Sequence, residues 1–270
     1  GEETFDHALG TSAAVERGYK AEAAILAEPT SLNIQPVSTG VLLLRIGVQG
    51  KATHATARDL MIRAGGLGDE IGVNAIEKAI KVIELLQELE RQWGFTKRHP
   101  LFAPGHFTIH PGVIDGAPHG HRYVAVVPDY CNIDYAVMYN PSDPFESVQQ
   151  EIQEFVLTGA KLDTWLSKHP PKFEWLGNWP AGEIPTDHPI CTSLSKGYEV
   201  VHDSKAKITG FPAPVDAPFL DQAGIPTAIF GPGNLPQAHA ENEYVEIDQI
   251  VRATKTIALT VMDWCGIDKI

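Results

Sequence analysis

The sequence predicts an α/β fold whose chain is interrupted by a smaller α+β segment, and two observations support this prediction. After residue 167, short apolar runs alternate with amphipathic stretches, which is the pattern of strands and helices in an α/β sheet. Between residues 38 and 166, two amphipathic helices accompany three or four strands, and such a set makes a compact α+β unit. We therefore expect a flanking domain at residues 1–37 and 167–270.

Three elements are predicted before residue 50. Residues 10–17 have helical composition, and Gly18 directly after them is a usual helix C-cap residue. The apolar run at residues 23–27 predicts a buried strand that delivers the carboxylate of Glu28 at its end. Residues 41–48, which follow a turn at a glycine, predict a second strand.

The clearest helix covers residues 74–93. Its apolar residues recur at helical spacing and should share one face, namely Ala75, Ile76, Ala79, Ile80, Ile83, Leu86, Leu89 and Trp93. Residues 97–121 are rich in His, Pro and Gly and predict a loop, with strands at 107–109 and 123–127. A second metal site at His106, His110, His119 and His121 is an alternative to a plain variable loop.

The remaining elements complete the alternation of strands and helices. They are a strand at 130–138, a helix at 145–166, a strand at 172–176, a helix at 189–202, a strand at 225–230 and a helix at 248–264 with Asp248 as its N-cap.

Composition and charge exclude several classes of protein. Of the 270 residues, 43% are hydrophobic and 20% are charged, so the chain can bury a core and is not disordered. Lys and Arg number 21 against 34 Asp and Glu, a net charge of -13 that disfavours binding to nucleic acid. No apolar run approaches the roughly 20 residues of a transmembrane helix. The three widely spaced cysteines favour inert thiols in a reducing, cytoplasmic setting over disulfides.

Three carboxylates and one histidine of the sequence are potential metal ligands. Glu2 and Glu3 are adjacent acids, and Glu28 follows a predicted strand. His239 lies in a loop that begins at Gly231. Zinc is commonly held by imidazole nitrogen and carboxylate oxygen, so these residues together indicate a metal centre. Taken singly, each residue has a plainer interpretation as a solvated or capping side chain.

Five short motifs follow one another along nearly the whole chain. They are Gly1-Glu2-Glu3, Ala27-Glu28-Pro29-Thr30, Gly50-Lys51-Ala52-Thr53-His54-Ala55, Gly72-Val73-Asn74-Ala75 and the segment from Gly231 to Glu243. In this order they resemble the M20 metallo-amidohydrolases, and the likeness is strongest to the acetylornithine deacetylase and succinyl-diaminopimelate desuccinylase branch. The resemblance implies a partial zinc-peptidase-like catalytic domain at 1–37 and 167–270, with a lid and dimerisation domain inserted at 38–166.

The resemblance also implies roles for the acids and histidines. Glu2 is the general base on a metal-bound water, while Glu3, Glu28 and His239 are ligands of zinc or cobalt, two ions per subunit in the family. His54 is the lid histidine that reaches the oxyanion from the partner subunit of a homodimer, with an exposed loop histidine as the alternative.

Other motif residues are implied to support substrate and metal. Asn74, Gly231 and Gly233 match the family's substrate contacts. Asp216 matches an acid near the metal loop that orients a ligand, with a helix cap as the alternative.

Two features depart from the family pattern. The dimetal centre also needs a His and a bridging Asp from upstream motifs, which no residue before Gly1 supplies, so the chain as given is expected to be inactive. Residues 132–137 lack the Arg that often grips a substrate carboxylate in the family. Another arginine could bind the substrate carboxylate in its place, and the sequence does not favour one candidate over the others. The candidates are Arg45, Arg58, Arg63 and Arg122.

The expected function is metal-dependent hydrolysis of the amide of an N-acyl amino acid, a small-molecule substrate. Two alternatives stay open: an inactive fragment that acts only by dimerising through its inserted domain, and an M20 carboxypeptidase or dipeptidase.

Overall fold

The computed structural model describes residues 3–4, 7–120 and 122–266, and of residues 3, 4 and 7–9 it describes the backbone alone. The chain divides into two compact units. The first comprises Gly1–Gly40, His99–Ala103 and Trp179–Ile270, and the second comprises Val41–Arg98 and Pro104–Asn178. Each unit combines a β-sheet with helices, so the predicted α/β fold class is confirmed.

The elements have the following bounds. The strands are β1 (Glu3–Thr4), β2 (His7–Ala8), β3 (Ala24–Leu26), β4 (Ile34–Ser38), β5 (Gly40–Gln49), β6 (Ile109–Ala117), β7 (Tyr130–Tyr139), β8 (Lys172–Trp179), β9 (Gly182–Glu183), β10 (Ile208–Phe211) and β11 (Thr227–Ile229). The α-helices are α1 (Leu9–Glu16), α2 (Arg58–Ile62), α3 (Ala75–Thr96), α4 (Phe145–Ala160), α5 (Pro189–His202), α6 (Ala217–Gln222) and α7 (Ile247–Cys265). Short 3₁₀ helices occupy Ala55–Ala57, Gly68–Glu70 and Leu235–Gln237.

The sheet of the first unit has the strand order β10-β4-β11-β3, and β9 pairs with β4. Strand β11 is parallel to β3, while β4 is antiparallel to β11. The carboxyl ends of β3 and β11 therefore lie at one edge of the sheet, where β4 begins. In open α/β sheets this edge is where ligands bind.

Successive residues of β11 lie on opposite faces of this sheet. Ala228 and the adjoining Phe230 pack in one apolar cluster with α5 and α7, whereas Ile229 packs on the other side against Phe211 and α6. The sheet is consequently covered by helices on both faces. Gly197 on α5 allows a close crossing with α7, because a Cβ there would lie 2.9 Å from the carbonyl oxygen of Thr256.

The sheet of the second unit has the strand order β6-β7-β5-β8; helix α3 packs against β6 and β7, and α4 packs against α3. Burial alternates along β5 and β7, as expected when one face of a sheet is packed and the other is open. The buried residues of these strands include Leu42, Leu44, Ile46, Ile133, Tyr135 and Val137.

Helix α3 confirms the predicted periodicity with one correction. Its buried residues are Ala75, Ala79, Val82, Leu86, Leu89 and Trp93. Ile80, predicted for the same face, is 47% exposed. At about 100° per residue Ile80 lies about 140° around the helix from Ala75, while Val82 returns to the buried side.

The predicted loop between α3 and β7 is wrong in part. Strand β6 lies inside it and pairs antiparallel with β7 from Ile109 to Ala117, with a shift in register after Pro111. Residues 123–127 form no strand and make only an isolated bridge between Val126 and His54. The exposed residues of β6 at 110–114 explain the error, because they lack the apolar alternation of a half-buried strand.

Helix α4 ends at Ala160, six residues earlier than predicted, and the turn after it is organised by Asp163. One carboxylate oxygen of Asp163 accepts the N–H groups of Trp165 and Leu166, both at 2.9 Å. The carboxylate also pairs with Lys78 at 2.7 Å and with Lys81. These bonds outweigh desolvation and hold the pKa of Asp163 well below its usual range.

Two segments lie outside the predicted domain boundaries. Strand β8 pairs in the sheet of the second unit, whereas the sequence analysis had placed residues 167–178 in the flanking domain. Residues His99–Ala103 belong to the first unit, where Leu101 accepts the N–H of Gly210 at 2.8 Å. The division into a catalytic and a lid domain, as a functional statement, stays a prediction.

All three cysteines are free thiols. Burial raises the pKa of Cys131 and of Cys191 to about 11, so both are unreactive. Cys265 is exposed at the end of α7, so its inertness stays a prediction. None of the helices in the described part of the chain combines the length and apolarity that a membrane crossing needs.

Asp221 predicts a pH-dependent stability for the first unit. Burial raises its pKa from 3.8 to about 6, although its carboxylate accepts the N–H of Thr227 at 2.8 Å. A raised pKa in the folded state stabilises the fold fully below the unfolded pKa, and this stabilisation is lost as the pH rises through about 6. We expect Asp221→Asn to raise the free energy of unfolding by about 1 kcal/mol at pH 8 and to change it little at pH 4.

Urea unfolding at the two pH values measures this effect. Asp187→Asn, at an exposed position, is the matched control and should change the stability at neither pH. An equal gain from Asp221→Asn at both pH values would contradict the assignment of the effect to ionisation.

Candidate active site

Glu28 and Gly231 lie side by side at the carboxyl edge of the first unit's sheet. Glu28 is half-buried two residues after β3, and Gly231 comes two residues after β11. A Cβ at Gly231 would lie 2.6 Å from the carbonyl oxygen of Glu28 and 3.1 Å from its nitrogen. Only glycine allows this approach, so the loop that begins at Gly231 rests directly on the backbone of Glu28.

Thr30 bonds these two loops together. Its hydroxyl accepts the N–H of Gly231 and donates to the carbonyl oxygen of Gly231, both at 3.1 Å. Thr30 is 4% exposed, so both bonds are shielded from water. A backbone bridge between Thr30 and Asn234 extends the same contact by three residues.

Two consecutive left-handed residues complete the connection. Ser31 has φ 52° and Leu32 has φ 62°, a conformation that costs non-glycine residues about 1–3 kcal/mol each. Their N–H groups donate to the carbonyl oxygens of Gly233 at 2.7 Å and of Gly231 at 3.1 Å. These hydrogen bonds hold the Glu28 loop and the Gly231 loop in one arrangement despite the strain.

The predicted metal ligands are only partly described. Glu2 lies outside the described residues, and of Glu3 the structure describes only the backbone, in β1. His239 is exposed, has φ 61°, and its backbone N–H donates to Glu243 at 3.2 Å. Across the described residues, no three His, Cys, Asp or Glu side chains are grouped so that they could hold a metal ion. The convergence of Glu3, Glu28 and His239 therefore stays a prediction.

His54 lies on the second unit with one ring nitrogen engaged. It precedes the 3₁₀ helix Ala55–Ala57, and its Nδ1 accepts the backbone N–H of Thr56 at 3.3 Å. A neutral imidazole that accepts at Nδ1 carries its proton on Nε2. Backbone bonds to residues 125–127 fix this loop, so the exposed His54 presents an Nε2–H donor.

Asn74 and Asp216 occupy the start of helices. The side-chain oxygen of Asn74 caps α3 by accepting the N–H groups of Ile76 at 3.0 Å and Glu77 at 3.4 Å. Asp216 precedes α6 but makes no capping bond with its side chain. It accepts instead the hydroxyl of Thr11 at 2.5 Å. The capping alternative is thus observed for Asn74 rather than for Asp216, and their predicted functional roles stay predictions.

Each of the four arginines considered for a substrate carboxylate has a protein carboxylate as partner. Arg45 makes two bonds to Asp134, at 2.7 and 2.8 Å, and lowers the pKa of that acid. The other pairs are Arg58 with Glu77 at 2.5 Å, Arg63 with Asp59 at 3.5 Å and Arg122 with Asp115 at 2.8 Å. Their charges are balanced within the second unit.

Two residues of this region are absent from the predicted site: Thr30, whose hydroxyl bonds the two loops together, and Gln35, which is buried in β4 beside them. Thr30 lies two residues after Glu28 in the same motif, which was a usable signal. Gln35 is 6% exposed within β4, and no spacing or motif distinguishes it.

Comparison with known families identifies the family of this chain. The model of peptidase family M20/M25/M40 matches residues 1–263, and the chain belongs to this family. The five motifs and the resemblance derived from them are thereby confirmed at the level of the family.

Two N-formyl-4-amino-5-aminomethyl-2-methylpyrimidine deformylases are similar to the chain. The protein of Halalkalibacterium halodurans is 37% identical over 270 residues, which is 96% of this chain and 62% of the relative. That of Bacillus subtilis is 36% identical over 267 residues, 95% of this chain and 61% of the relative. An acetylornithine deacetylase of Myxococcus xanthus is 27% identical over 271 residues, 97% of this chain and 64% of the relative. The chain thus spans less than two thirds of each relative.

Solved structures support the fold. Aminopeptidase PepT from Bacillus cereus superposes with a TM-score of 0.69 at 16% identity, over 96% of this chain and 61% of that chain. The dipeptidase Dug1p from Saccharomyces cerevisiae superposes with a TM-score of 0.66 at 13% identity, over 96% of this chain and 63% of that chain. Identities this low show the fold alone.

The contact between Gly231 and Glu28 predicts a steric test. Gly231→Ala forces its Cβ against backbone atoms that cannot rotate away, so we expect a loss of about 1–3 kcal/mol in the free energy of unfolding. Gly94→Ala is the control, because a Cβ there has open space within α3 and should stabilise by about 0.5–1 kcal/mol. Chemical denaturation measures both, and a neutral Gly231→Ala would refute the close contact.

Proposed function

We propose that the chain serves metal-dependent hydrolysis of the amide of an N-formyl or other N-acyl amine. Membership of the family supports a hydrolase, and the relatives named above are a deformylase and a deacetylase, both of which act on such amides. Relatives at 37% and 36% identity are deformylases, which favours this proposal over the alternatives of an inactive dimerising chain and of a peptidase.

The pairing of the arginines supports a substrate without a carboxylate. A binding site for an N-acyl amino acid needs a cation for the carboxylate, and Arg is well suited because it binds carboxylates through two parallel bonds. The four candidate arginines are already paired with Asp or Glu. The substrate in the deformylase's name is a formylated aminomethylpyrimidine, which has no carboxylate. We therefore favour an N-formyl amine, with an N-acyl amino acid as the second candidate.

Two residues of the chain act on different atoms during the proposed reaction. Glu2 accepts a proton from the attacking water and passes it to the nitrogen of the leaving amine as the carbon–nitrogen bond breaks. The Nε2–H of His54 donates to the oxyanion that forms when the carbonyl carbon becomes tetrahedral. The products are the free amine and the carboxylic acid of the acyl group.

A divalent metal such as zinc or cobalt would supply polarisation of the amide carbonyl and a lower pKa of the water. Carboxylate and imidazole are suitable donors for such an ion, so we assign Glu3, Glu28 and His239 to it. The described residues alone do not provide three ligands grouped for a metal ion. In the same proposal, Asn74, Gly231 and Gly233 contact the substrate, and Asp216 orients a ligand.

The activity test uses the longest form of the protein that its reading frame encodes. We expect it to release the amine from N-formyl-4-amino-5-aminomethyl-2-methylpyrimidine faster than from N-acetylornithine, and to lose activity when a chelator removes the metal. Glu2→Ala and His54→Ala should each lower kcat by about 10²–10³.

His110→Ala is the matched control for this test, because His110 is exposed on β6 and has no role in the proposal. Turnover that survives Glu2→Ala would overturn the mechanism. A preference for N-acetylornithine would overturn the choice of substrate class.

We also propose that the protein forms a homodimer through its second unit. Strand β6 pairs with β7 alone within the described residues, and it exposes Val113 at 57% and Ile114 at 53%. Apolar side chains on an unpaired edge favour association with another chain. Sedimentation equilibrium should give twice the chain mass, reduced towards a monomer by Ile114→Asp. A monomer without any substitution would refute this proposal.

A further inference from the structure

Two polar groups of Thr56 converge on one ring nitrogen of His54. The hydroxyl oxygen of Thr56 lies 2.8 Å from Nδ1, and the backbone nitrogen of Thr56 lies 3.3 Å from the same atom. A backbone N–H can only donate, so Nδ1 is an acceptor. The hydroxyl, which can donate or accept, is therefore the donor in its bond to Nδ1. The hydroxyl bond is the shorter of the two, so it supplies most of the interaction.

The local backbone brings Thr56 to this position. His54 is extended, with φ -70° and ψ 138°, and it precedes the 3₁₀ helix Ala55–Ala57, of which Thr56 is the second residue. A residue that precedes a helix in this way commonly caps it with a side-chain oxygen, which accepts an N–H group of the first turn. Here the imidazole nitrogen takes the place of that oxygen, and the hydroxyl of Thr56 adds a second bond to the same atom.

The segment that carries His54 is also fixed by residues 125–127. Two backbone hydrogen bonds of 2.8 Å join Thr53 and Ala55 to that segment. They flank the antiparallel bridge between His54 and Val126, so these two residues form a non-hydrogen-bonded pair. The side chains of such a pair lie close together on the same face. Val126 is half-buried and gives the imidazole an apolar neighbour.

Fixation by hydrogen bonds matters because His54 is exposed. Packing alone does not hold an exposed side chain, and a neutral imidazole has two tautomers. A donor at Nδ1 disfavours the tautomer that carries its proton there, and it leaves Nε2–H as the donor of the ring. A hydrogen-bond donor that is oriented before the reaction stabilises a developing oxyanion without the cost of reorganisation.

We propose that Thr56 is a positioning residue for the oxyanion donor His54, and that its hydroxyl holds the imidazole in the Nε2–H tautomer and in one orientation. The proposal deepens the proposed function, on which the role of His54 rests. Thr56 acts through the imidazole alone and does not touch the substrate.

The first measurement is the tautomer of His54 in the 270-residue chain, which needs neither substrate nor turnover. Long-range proton–nitrogen correlation NMR distinguishes a protonated from an unprotonated ring nitrogen, and His54→Ala identifies the signals of this ring. Thr56 is exposed, so Thr56→Val removes the hydroxyl without disturbing the core. We expect it to lower the ratio of Nε2–H to Nδ1–H about three- to tenfold, as the loss of one hydrogen bond allows. An unchanged ratio would overturn the proposal.

The second measurement is the rate with the formyl substrate, on the longest form of the protein that its reading frame encodes. Thr56→Val should lower kcat about three- to tenfold and leave KM unchanged, because the oxyanion forms only in the transition state. Thr56→Ser keeps a hydroxyl and should restore most of kcat. In a His54→Ala background, Thr56→Val should cost nothing further. An additive loss in that background would mean that Thr56 acts through the fold, and it would overturn the proposal.

Thr96→Val is the matched control for both measurements. Thr96 is exposed in the same unit, and its hydroxyl donates to the carbonyl oxygen of Gln92 at 2.9 Å rather than to an imidazole. The substitution should change neither the tautomer ratio of His54 nor kcat. An equal effect of Thr96→Val on either quantity would overturn the assignment to Thr56.

Failure of this inference can be told apart from failure of the proposed function. A tautomer ratio that depends on Thr56, in a protein that hydrolyses no amide, would overturn the proposed hydrolysis and leave the positioning of the imidazole supported. Turnover that requires His54 but is unaffected by Thr56→Val would overturn the positioning role and leave the proposed hydrolysis supported.

Discussion

The bond between Thr30 and Gly231 is the contact on which the candidate site depends. It joins two segments 201 residues apart in the chain, at the point where β3 and β11 end side by side. Ser31 and Leu32 adopt left-handed conformations so that their N–H groups can reach the Gly231 loop. Strain of this kind persists only where surrounding contacts hold it, and here the hydrogen bonds to the Gly231 loop hold it three and four residues after Glu28.

Charge is distributed differently in the two units, and this affects what each can recognise. On the second unit the candidate arginines meet Asp and Glu, so an acidic chain balances its guanidinium groups internally. In the first unit a cavity beside Glu28 has no ionisable lining residue.

Much of the secondary structure could be predicted from local patterning. Helix α5 was predicted with its observed bounds, and α3 and α7 nearly so, because their apolar stripes are long and regular. Strand β4 was missed since all five of its residues are buried, including a proline and a glutamine, which leaves no alternation. Helix α6 has only six residues, with Pro218 at its second position, and is too short for a helical period to show.

The sequence by itself determined the α/β class, the family and the motif residues, because these depend on local periodicity and on short spacings. Only the tertiary structure decided that Gly231 lies against the backbone of Glu28 and that Asn74 caps a helix. It also decided that the four candidate arginines are paired with Asp or Glu. These features arise where segments far apart in the chain meet, and a one-dimensional pattern does not record which side chains become neighbours.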